Sequence, residues 1–133
     1  MRLEHIALYV DDLEAVRAFY CDHLGATPNA KYHNPTTGFK SYFLSFESGA
    51  RIEIMSHPDT VVTVPLNGAG RHLKSLGYTH LAFSLGSREA VDQKTRELAQ
   101  KGIVVLSQPR QTGDGYYESV ILDPEGNQIE LVA

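Results

Sequence analysis

Two glutamates occur in apolar runs near the ends of the two halves of the chain. Glu53 lies within ARIEIM and Glu130 within NQIELV, and both runs are typical of β-strands. Glutamate is a poor strand former and is rarely buried without a partner. Two histidines are placed in a similar way, His5 within EHIAL and His80 within THLAF. These four side chains are therefore the first candidates for chemistry.

Imidazole and carboxylate together form a common ligand set for divalent metals. Neutral imidazole and carboxylate suit Zn²⁺, Ni²⁺, Co²⁺, Mn²⁺ or Fe²⁺, and two glutamates supply the negative charge that balances one such ion. A single histidine on a strand is more often a structural residue, and a single glutamate on a polar strand face is usually a solvated charge. The prediction of one metal site per chain therefore depends on whether the four residues are placed equivalently.

An internal repeat does place them equivalently. When the sequence is shifted by 75 residues, EHIAL lies over THLAF, and His5 coincides with His80. At the same shift a second EAV lies over the first, and Tyr42 lies over Tyr117. The strands that carry the two glutamates align after two further residues. These coincidences predict a duplicated module of roughly 55 residues.

Each module is predicted to contain a strand, a helix and three further strands. Asp11 or Asp12 can cap the first helix, which Gly25 can end. Ser87 and Gly102 can do the same for the second helix. The predicted strands cover residues 2–10, 26–33, 40–46 and 50–56, and then 78–85, 102–108, 116–122 and 127–132. The prediction is one domain of residues 1–133, with module one at about 1–56, a linker at about 57–77 and module two at about 78–133.

The alternation of side chains along a strand puts the four candidates on a common kind of face. Ile6, Leu8 and Val10 share one face of the first strand, and His5 belongs to the other. Each of the other three strands likewise has one aliphatic face, which a helix would cover. We therefore predict an α+β fold with a mixed sheet, helices on its outer face, and the histidines and glutamates on the face without helices.

Composition excludes several classes of function. The chain has 133 residues, 42% of them hydrophobic, and a formal net charge of -4, which argues against nucleic acid as a partner. No apolar run approaches the ~20 residues that a membrane helix requires, and the N-terminal stretch is too acidic for a signal peptide. The single cysteine, Cys21, cannot form an internal disulfide. A cytoplasmic location is the simplest expectation.

With these residues and motifs the chain resembles the vicinal-oxygen-chelate superfamily, which includes glyoxalase I, fosfomycin-resistance thiol transferases, extradiol dioxygenases and bleomycin-binding proteins. The motifs that carry the resemblance are EHIALYVDDLEAVRAFYCDHLG, GYTHLAFSLGSREAV and LDPEGNQIELV. The resemblance covers nearly the whole chain. It implies paired βαβββ modules in a cupped sheet around a metal, usually in a homodimer.

The ligand set resembles that of the glyoxalase I branch, with His5, Glu53, His80 and Glu130 as the metal ligands. This likeness implies a lactoylglutathione lyase activity that isomerises the hemithioacetal of methylglyoxal and glutathione. The metal would stabilise the enediolate formed when a proton leaves the substrate carbon. Glu130 is implied as the base that moves this proton, with Glu53 as the opposing ligand or as the base for the other substrate face.

Several alternatives stay open at this point. An arginine that helps glyoxalase I to hold glutathione is absent after the first helix, where Lys31 is the only cation. Tyr116 and Tyr117 are candidates for substrate contact, or they simply belong to a hairpin. A thiol transferase or dioxygenase would use two histidines and one glutamate, without Glu53 as a ligand. A small-molecule-binding protein without chemistry is the third class.

Overall fold

The structure is a computed structural model that describes residues 2–61 and 77–133. Most of the predicted linker, residues 62–76, lies outside the described residues. The chain divides into two compact units, Met1–Pro65 and Leu66–Ala133, which we call unit one and unit two. No helix in the described part of the chain is long and apolar enough to cross a membrane.

Unit one contains a helix and a mixed sheet. Its elements are β1 (Ile6–Tyr9), α1 (Leu13–Leu24), β2 (Thr27–Pro28), β3 (Tyr32–His33), β4 (Lys40–Ser45) and β5 (Arg51–Ser56). In the sheet β1 runs parallel to β5, β5 pairs with β4 in antiparallel fashion, and both β2 and β3 pair with β4.

Unit two repeats this plan. Its elements are β6 (His80–Ser84), α2 (Arg88–Gln100), β7 (Val105–Gln111), β8 (Tyr117–Leu122) and β9 (Gln128–Val132). The strand order is β6, β9, β8, β7, again with the first and last strands parallel. The predicted α+β class and the βαβββ plan of each module are therefore confirmed.

The first strand of each unit is shorter than the sequence predicted. Residues 2–10 and 78–85 were expected, whereas β1 and β6 have four and five residues. Each is limited by its parallel partner, since β5 begins at Arg51 and β9 at Gln128. Residues before position 5 or position 80 would lie beside the turn that precedes β5 or β9, and that turn offers no strand backbone for pairing.

The second strand of each unit also differs from the prediction. The expected strand 26–33 is divided into β2 and β3, because Asn29 accepts the backbone N–H of Phe43 on its side chain at 2.8 Å and interrupts the ladder. The expected strand 102–108 begins three residues later, at Val105. The backbone N–H groups of Gly102 and Ile103 are used to close the last turn of α2.

Both helices begin and end where the sequence indicates. The Asp12 carboxylate accepts the N–H groups of Glu14 and Ala15, and Ser87 accepts that of Ala90. Gly25 follows α1 in the left-handed conformation, with φ 73°. Asp12 and Ser87 thus fix the point at which the chain leaves the first strand of each unit and enters the helix.

The helices cover the aliphatic faces of their own sheets. In unit two Thr95 of α2 donates its hydroxyl to the Val91 carbonyl and accepts a hydrogen bond from Ser119 of β8, both at 2.7 Å. The side chains with less than 2% exposure are Val10, Val16, Tyr20, Leu44 and Ile54 in unit one and Val91, Thr95, Leu98, Ser119, Ile121, Ile129 and Leu131 in unit two. Burial of each large aliphatic side chain contributes roughly 1.5–3 kcal/mol.

Candidate metal centre

The strand register gives the two glutamates equivalent places. Ala7 of β1 pairs with Glu53 of β5, and Ala82 of β6 pairs with Glu130 of β9. In both units the histidine stands two residues before this alanine and therefore belongs to the same strand face. The flanking residues of β5 and β9 are buried, whereas the glutamates are only partly so. The faces predicted from the sequence are thus confirmed within each unit.

In unit one His5 lies beside Glu53, with 3.7 Å between His5 Nε2 and Glu53 Oε2. The Glu53 side chain is 17% exposed. The imidazole meets the ring of Phe43 edge-on, with 5.1 Å between centroids, and the Arg51 guanidinium lies 4.2 Å from the centroid of the same ring. Glu4 contacts both His5 Nδ1 and Arg51 Nη1.

In unit two His80 lies beside Glu130, with 3.2 Å between His80 Nε2 and Glu130 Oε2. The Nδ1 atom of His80 is 3.2 Å from the hydroxyl of Thr79. Burial raises the pKa of the Glu130 carboxyl, and the negative charge of Glu118 acts in the same direction. The charges of His80 and Arg110 oppose this shift only in part.

The donor set of each pair fits a divalent metal. Ligands bonded to one such ion at about 2.0–2.2 Å lie roughly 3.0–3.5 Å apart, close to the separations of 3.2 and 3.7 Å seen here. In each pair Nδ1 is engaged by a side chain and Nε2 faces a carboxylate. The structure thus brings the predicted ligands together as two pairs, one per unit. Among residues 2–61 and 77–133 it gathers no group of three or more such side chains around one point.

The two repeat-related tyrosines lie on the helix side of their sheets. Tyr42 donates its hydroxyl to Glu14 of α1 at 3.1 Å, and Tyr117 donates its hydroxyl to Asp92 of α2 at 2.7 Å. The hydrogen bond to Asp92 raises the pKa of Tyr117. Along β8, Tyr117 alternates with Glu118, so it faces away from the side of Glu130, whose paired residue is Val120. This placement favours strand–helix packing over the predicted substrate contact, while the neighbouring Tyr116 is exposed.

The motif DPEGN forms the turn before β9 and fixes the position of that strand. The Asp123 carboxylate, in a residue 5% exposed, accepts the backbone N–H groups of Glu125 and Asn127 at 2.9 and 2.8 Å. It also accepts the side-chain amide of Asn127 at 2.9 Å. The most specific motif of the sequence thus has a structural role, since it sets the register of the strand that carries Glu130.

Sequence reasoning missed the residues that support the histidines. Glu4 and Thr79 each contact the Nδ1 atom of the histidine that follows them. A signal for both was present, because the shift of 75 residues that aligns the histidines also aligns Glu4 with Thr79. Arg51 gave no such signal, since its contact with Glu4 depends on the pairing of β1 with β5.

The single cysteine, Cys21, belongs to neither His–Glu pair. Cys21 belongs to α1 and is partly buried. Burial raises the pKa of its thiol above the ordinary value, although the nearby Arg17 acts in the opposite direction. A raised thiol pKa reduces the fraction of reactive thiolate at neutral pH, which fits the structural role that the sequence favours.

Comparison with known proteins gives a consistent family. A family model described as Glyoxalase/Bleomycin resistance protein/Dioxygenase superfamily matches residues 2–131. The uncharacterized protein YqjT of Bacillus subtilis is 34% identical over 137 residues, with 98% of each chain covered. Glutathione transferase FosA of Serratia marcescens is 26% identical over 132 residues, covering 97% of this chain and 78% of its own. A trypanothione-dependent glyoxalase I from Leishmania major shares the fold with a TM-score of 0.73 at 19% identity, covering 99% of this chain and 86% of its own.

Proposed function

The chain belongs to the Glyoxalase/Bleomycin resistance protein/Dioxygenase superfamily, and we propose that it is a metal-dependent isomerase of the glyoxalase I type. The observation that carries the proposal is the pair of His–Glu contacts at repeat-equivalent positions, His5 with Glu53 and His80 with Glu130. The proposed reaction converts the hemithioacetal of methylglyoxal and a thiol such as glutathione to the lactoyl thioester, which would detoxify methylglyoxal.

Four side chains would hold the divalent ion, which is Ni, Zn, Co, Mn or Fe: His5, Glu53, His80 and Glu130. When bound, such an ion supplies Lewis-acid stabilisation of negative charge on substrate oxygens. Each histidine offers Nε2 toward a carboxylate oxygen, so each unit contributes one nitrogen and one oxygen donor. The set of two imidazoles and two carboxylates balances the charge of one divalent ion.

Glu130 is the group that we assign to proton transfer. An effective base needs a pKa close to the working pH, and burial raises the pKa of this carboxyl. Its Oε2 atom lies 3.2 Å from His80 Nε2, and the side chain is 20% exposed, so a substrate could reach the carboxylate. Glu53 is assigned to the opposing ligand position.

The glutathione part of the proposed substrate has weaker support than the isomerisation. Lys31, the only cation in the stretch after α1, donates to Glu14 at 2.7 Å. Arg17 donates to the same carboxylate at 3.0 Å. Both cations are thereby held beside α1, where they lie over the ring of Tyr42. The same isomerisation could act on the adduct of a thiol that is bound by residues other than Lys31 and Arg17.

A thiol transferase is the second candidate function. The relationship to a glutathione transferase of the same superfamily favours it. In that case His5, His80 and Glu130 would be the ligands, and Glu53 would not be one.

We further expect a homodimer, because members of the family that the sequence resembles usually form one. The single cysteine is in line with a cytoplasmic location. The four ligands then come either from one chain or from two. Mixing a His5→Ala chain with a His80→Ala chain distinguishes these cases. If the ligands are shared between chains, about half of the dimers are mixed and each regains one of its two sites, so about a quarter of all sites recover. If the ligands come from one chain, no site recovers.

The function is tested by assay of the metal-reconstituted protein with the methylglyoxal–glutathione hemithioacetal. We expect thioester formation that depends on added metal and that is lost in the His5→Ala, His80→Ala double variant. With a suitable thiol, kcat/KM should exceed ~10⁴ M⁻¹s⁻¹. Transfer of the thiol to an electrophile without thioester formation would favour the transferase instead.

A further inference from the structure

Glu4 forms a bridge between the candidate ligand His5 and a fixed cation. One oxygen of its carboxylate contacts His5 Nδ1 and the other contacts Arg51 Nη1. Arg51 is itself held by its position over the Phe43 ring, 4.2 Å from the centroid. We call these contacts the Glu4 bridge. They tie an exposed carboxylate to β5 and to the residue that precedes β1.

The Glu4 bridge determines which nitrogen of His5 carries the proton. An ionised carboxylate only accepts hydrogen bonds, so His5 Nδ1 must be the donor. In the neutral imidazole this leaves a lone pair on Nε2, and that lone pair faces Glu53 Oε2 at 3.7 Å. Two electron-rich atoms that face each other at this distance are stabilised by a cation between them. The His5–Glu53 pair is thus preorganised to bind a cation at His5 Nε2.

Unit two lacks every part of this arrangement. Glu4 is replaced by Thr79, whose hydroxyl can either donate or accept and therefore leaves the tautomer of His80 open. The positions equivalent to Arg51 and Phe43 are occupied by Gln128 and Val120, judged from the strand register. Of the two histidines, His5 alone has a carboxylate at Nδ1 among the described residues.

We propose that Glu4, held by Arg51, is a positioning residue that fixes the tautomer and ring orientation of His5, so that unit one supplies the more strongly binding ligand pair. The inference rests on the proposed function in that His5 is taken as a metal ligand. A carboxylate at the distal nitrogen of a ligating histidine raises its basicity and fixes its orientation, and loss of such a partner typically weakens metal affinity by 10- to 100-fold.

The first test reads the tautomer of His5 in metal-free protein by residue-specific ¹⁵N NMR at alkaline pH, where imidazole is neutral. We expect the wild type to show His5 mainly as the Nδ1–H form. Glu4→Ala should shift it toward the Nε2–H form, and Glu4→Gln should largely retain the original form, because the glutamine carbonyl still accepts a hydrogen bond. An unchanged tautomer in Glu4→Ala would overturn the proposal.

The second test measures metal affinity by competition with a chromophoric chelator. Glu4→Ala should weaken binding at least ~10-fold, with Glu4→Gln between it and the wild type. Thr79→Val, which removes the partner of His80, should have a smaller effect. Glu47→Ala is the matched control, since it removes one exposed carboxylate from the turn of unit one and should leave affinity unchanged. Equal losses in Glu4→Ala and Glu47→Ala would reduce the effect to net charge and contradict the proposal.

The two tests separate this inference from the proposed function. If the wild type binds no metal while the His5 tautomer responds to Glu4→Ala, the metal-dependent function fails and the tautomer assignment stands. If the wild type binds metal and Glu4→Ala changes neither the tautomer nor the affinity, the Glu4 bridge is a surface ion pair only. Melting temperatures of all variants, expected to lie close to the wild type, show that the comparison concerns folded proteins.

Discussion

The two units share a backbone plan but surround their His–Glu pairs with different chemistry. In unit one the histidine is held by a carboxylate, and an arginine lies over the aromatic ring beside it. In unit two the histidine meets a hydroxyl, and burial raises the pKa of the Glu130 carboxyl. Under the proposed function this difference would give the pairs different roles, with His5 and Glu53 as ligands and Glu130 also as the group that moves the proton.

The largest expected effect is the loss of turnover in Glu130→Gln, compared with the loss in Glu53→Gln. Glu130→Gln keeps the size of the side chain and one carbonyl oxygen but removes the carboxylate that we propose as the base. We expect it to lower kcat by ~10²- to 10⁴-fold in metal-loaded enzyme, equal to ~3–5 kcal/mol of barrier. Glu53→Gln, which changes the charge at the ligands by the same amount, should lose clearly less at equal metal occupancy. Equal losses would remove the distinction between the units, and a larger loss at Glu53 would reverse it.

The turns before β5 and β9 provide the next comparison. Their backbone hydrogen bonds correspond, from Phe46 to Ala50 in one and from Asp123 to Asn127 in the other. The second turn adds a buried carboxylate with three acceptor contacts. Asp123→Ala should therefore lower the free energy of unfolding by about 1–3 kcal/mol in denaturant titrations, because it removes the acceptor of two part-buried backbone N–H groups. Glu47→Ala in the first turn should cost less than ~0.5 kcal/mol. Similar values for the two would mean that the backbone alone fixes both turns.

The tyrosines on the helix side are expected to differ by a smaller amount. Tyr117→Phe removes a 2.7 Å hydrogen bond to Asp92 in a partly buried place and should cost about 1 kcal/mol of stability. Tyr42→Phe removes a longer and more exposed contact with Glu14 and should cost less. Neither substitution should change kcat/KM. A selective rise in KM for Tyr117→Phe would restore the substrate role that the sequence suggested.

The smallest expected effect concerns the acid stability of unit one. Hydrogen bonds from Lys31, Arg17 and Tyr42 lower the pKa of Glu14 from 4.5 to about 2. A carboxyl group whose pKa is lower in the folded state stabilises the fold at any pH above its pKa in the unfolded state. This stabilisation is lost as the pH falls toward the pKa in the folded state. Near neutral pH the free energy of unfolding of the wild type should exceed that of Glu14→Gln by less than ~1 kcal/mol, since the Glu14 side chain is half exposed. The difference should shrink between pH 4.5 and 2, and a difference independent of pH over this range would contradict the assignment.

Much of this arrangement could be predicted from local pattern. The period of two in IEIM and QIELV places Glu53 and Glu130 opposite buried residues, and the capping residues of both helices are evident in the sequence. The ends of β1 and β6 could not be predicted, because they depend on where the partner strands begin. The Glu4 bridge depends on a contact between the residues just before β1 and the first residue of β5, which no local pattern reveals. The face of Tyr117 follows from its alternation with Glu118, whereas its partner Asp92 on α2 depends on how the helix packs on the sheet.

The central claim, that both His–Glu pairs serve one ion, is tested most directly by metal stoichiometry. Purified protein should be stripped, reloaded with nickel, zinc or cobalt, freed of excess metal and analysed for metal per chain. The account predicts about one ion per chain, and a large loss of affinity in both His5→Ala and His80→Ala. Two ions per chain, with each variant losing only one of them, would show that the pairs act separately. Retention of metal by the double variant would contradict the assignment of the ligands altogether.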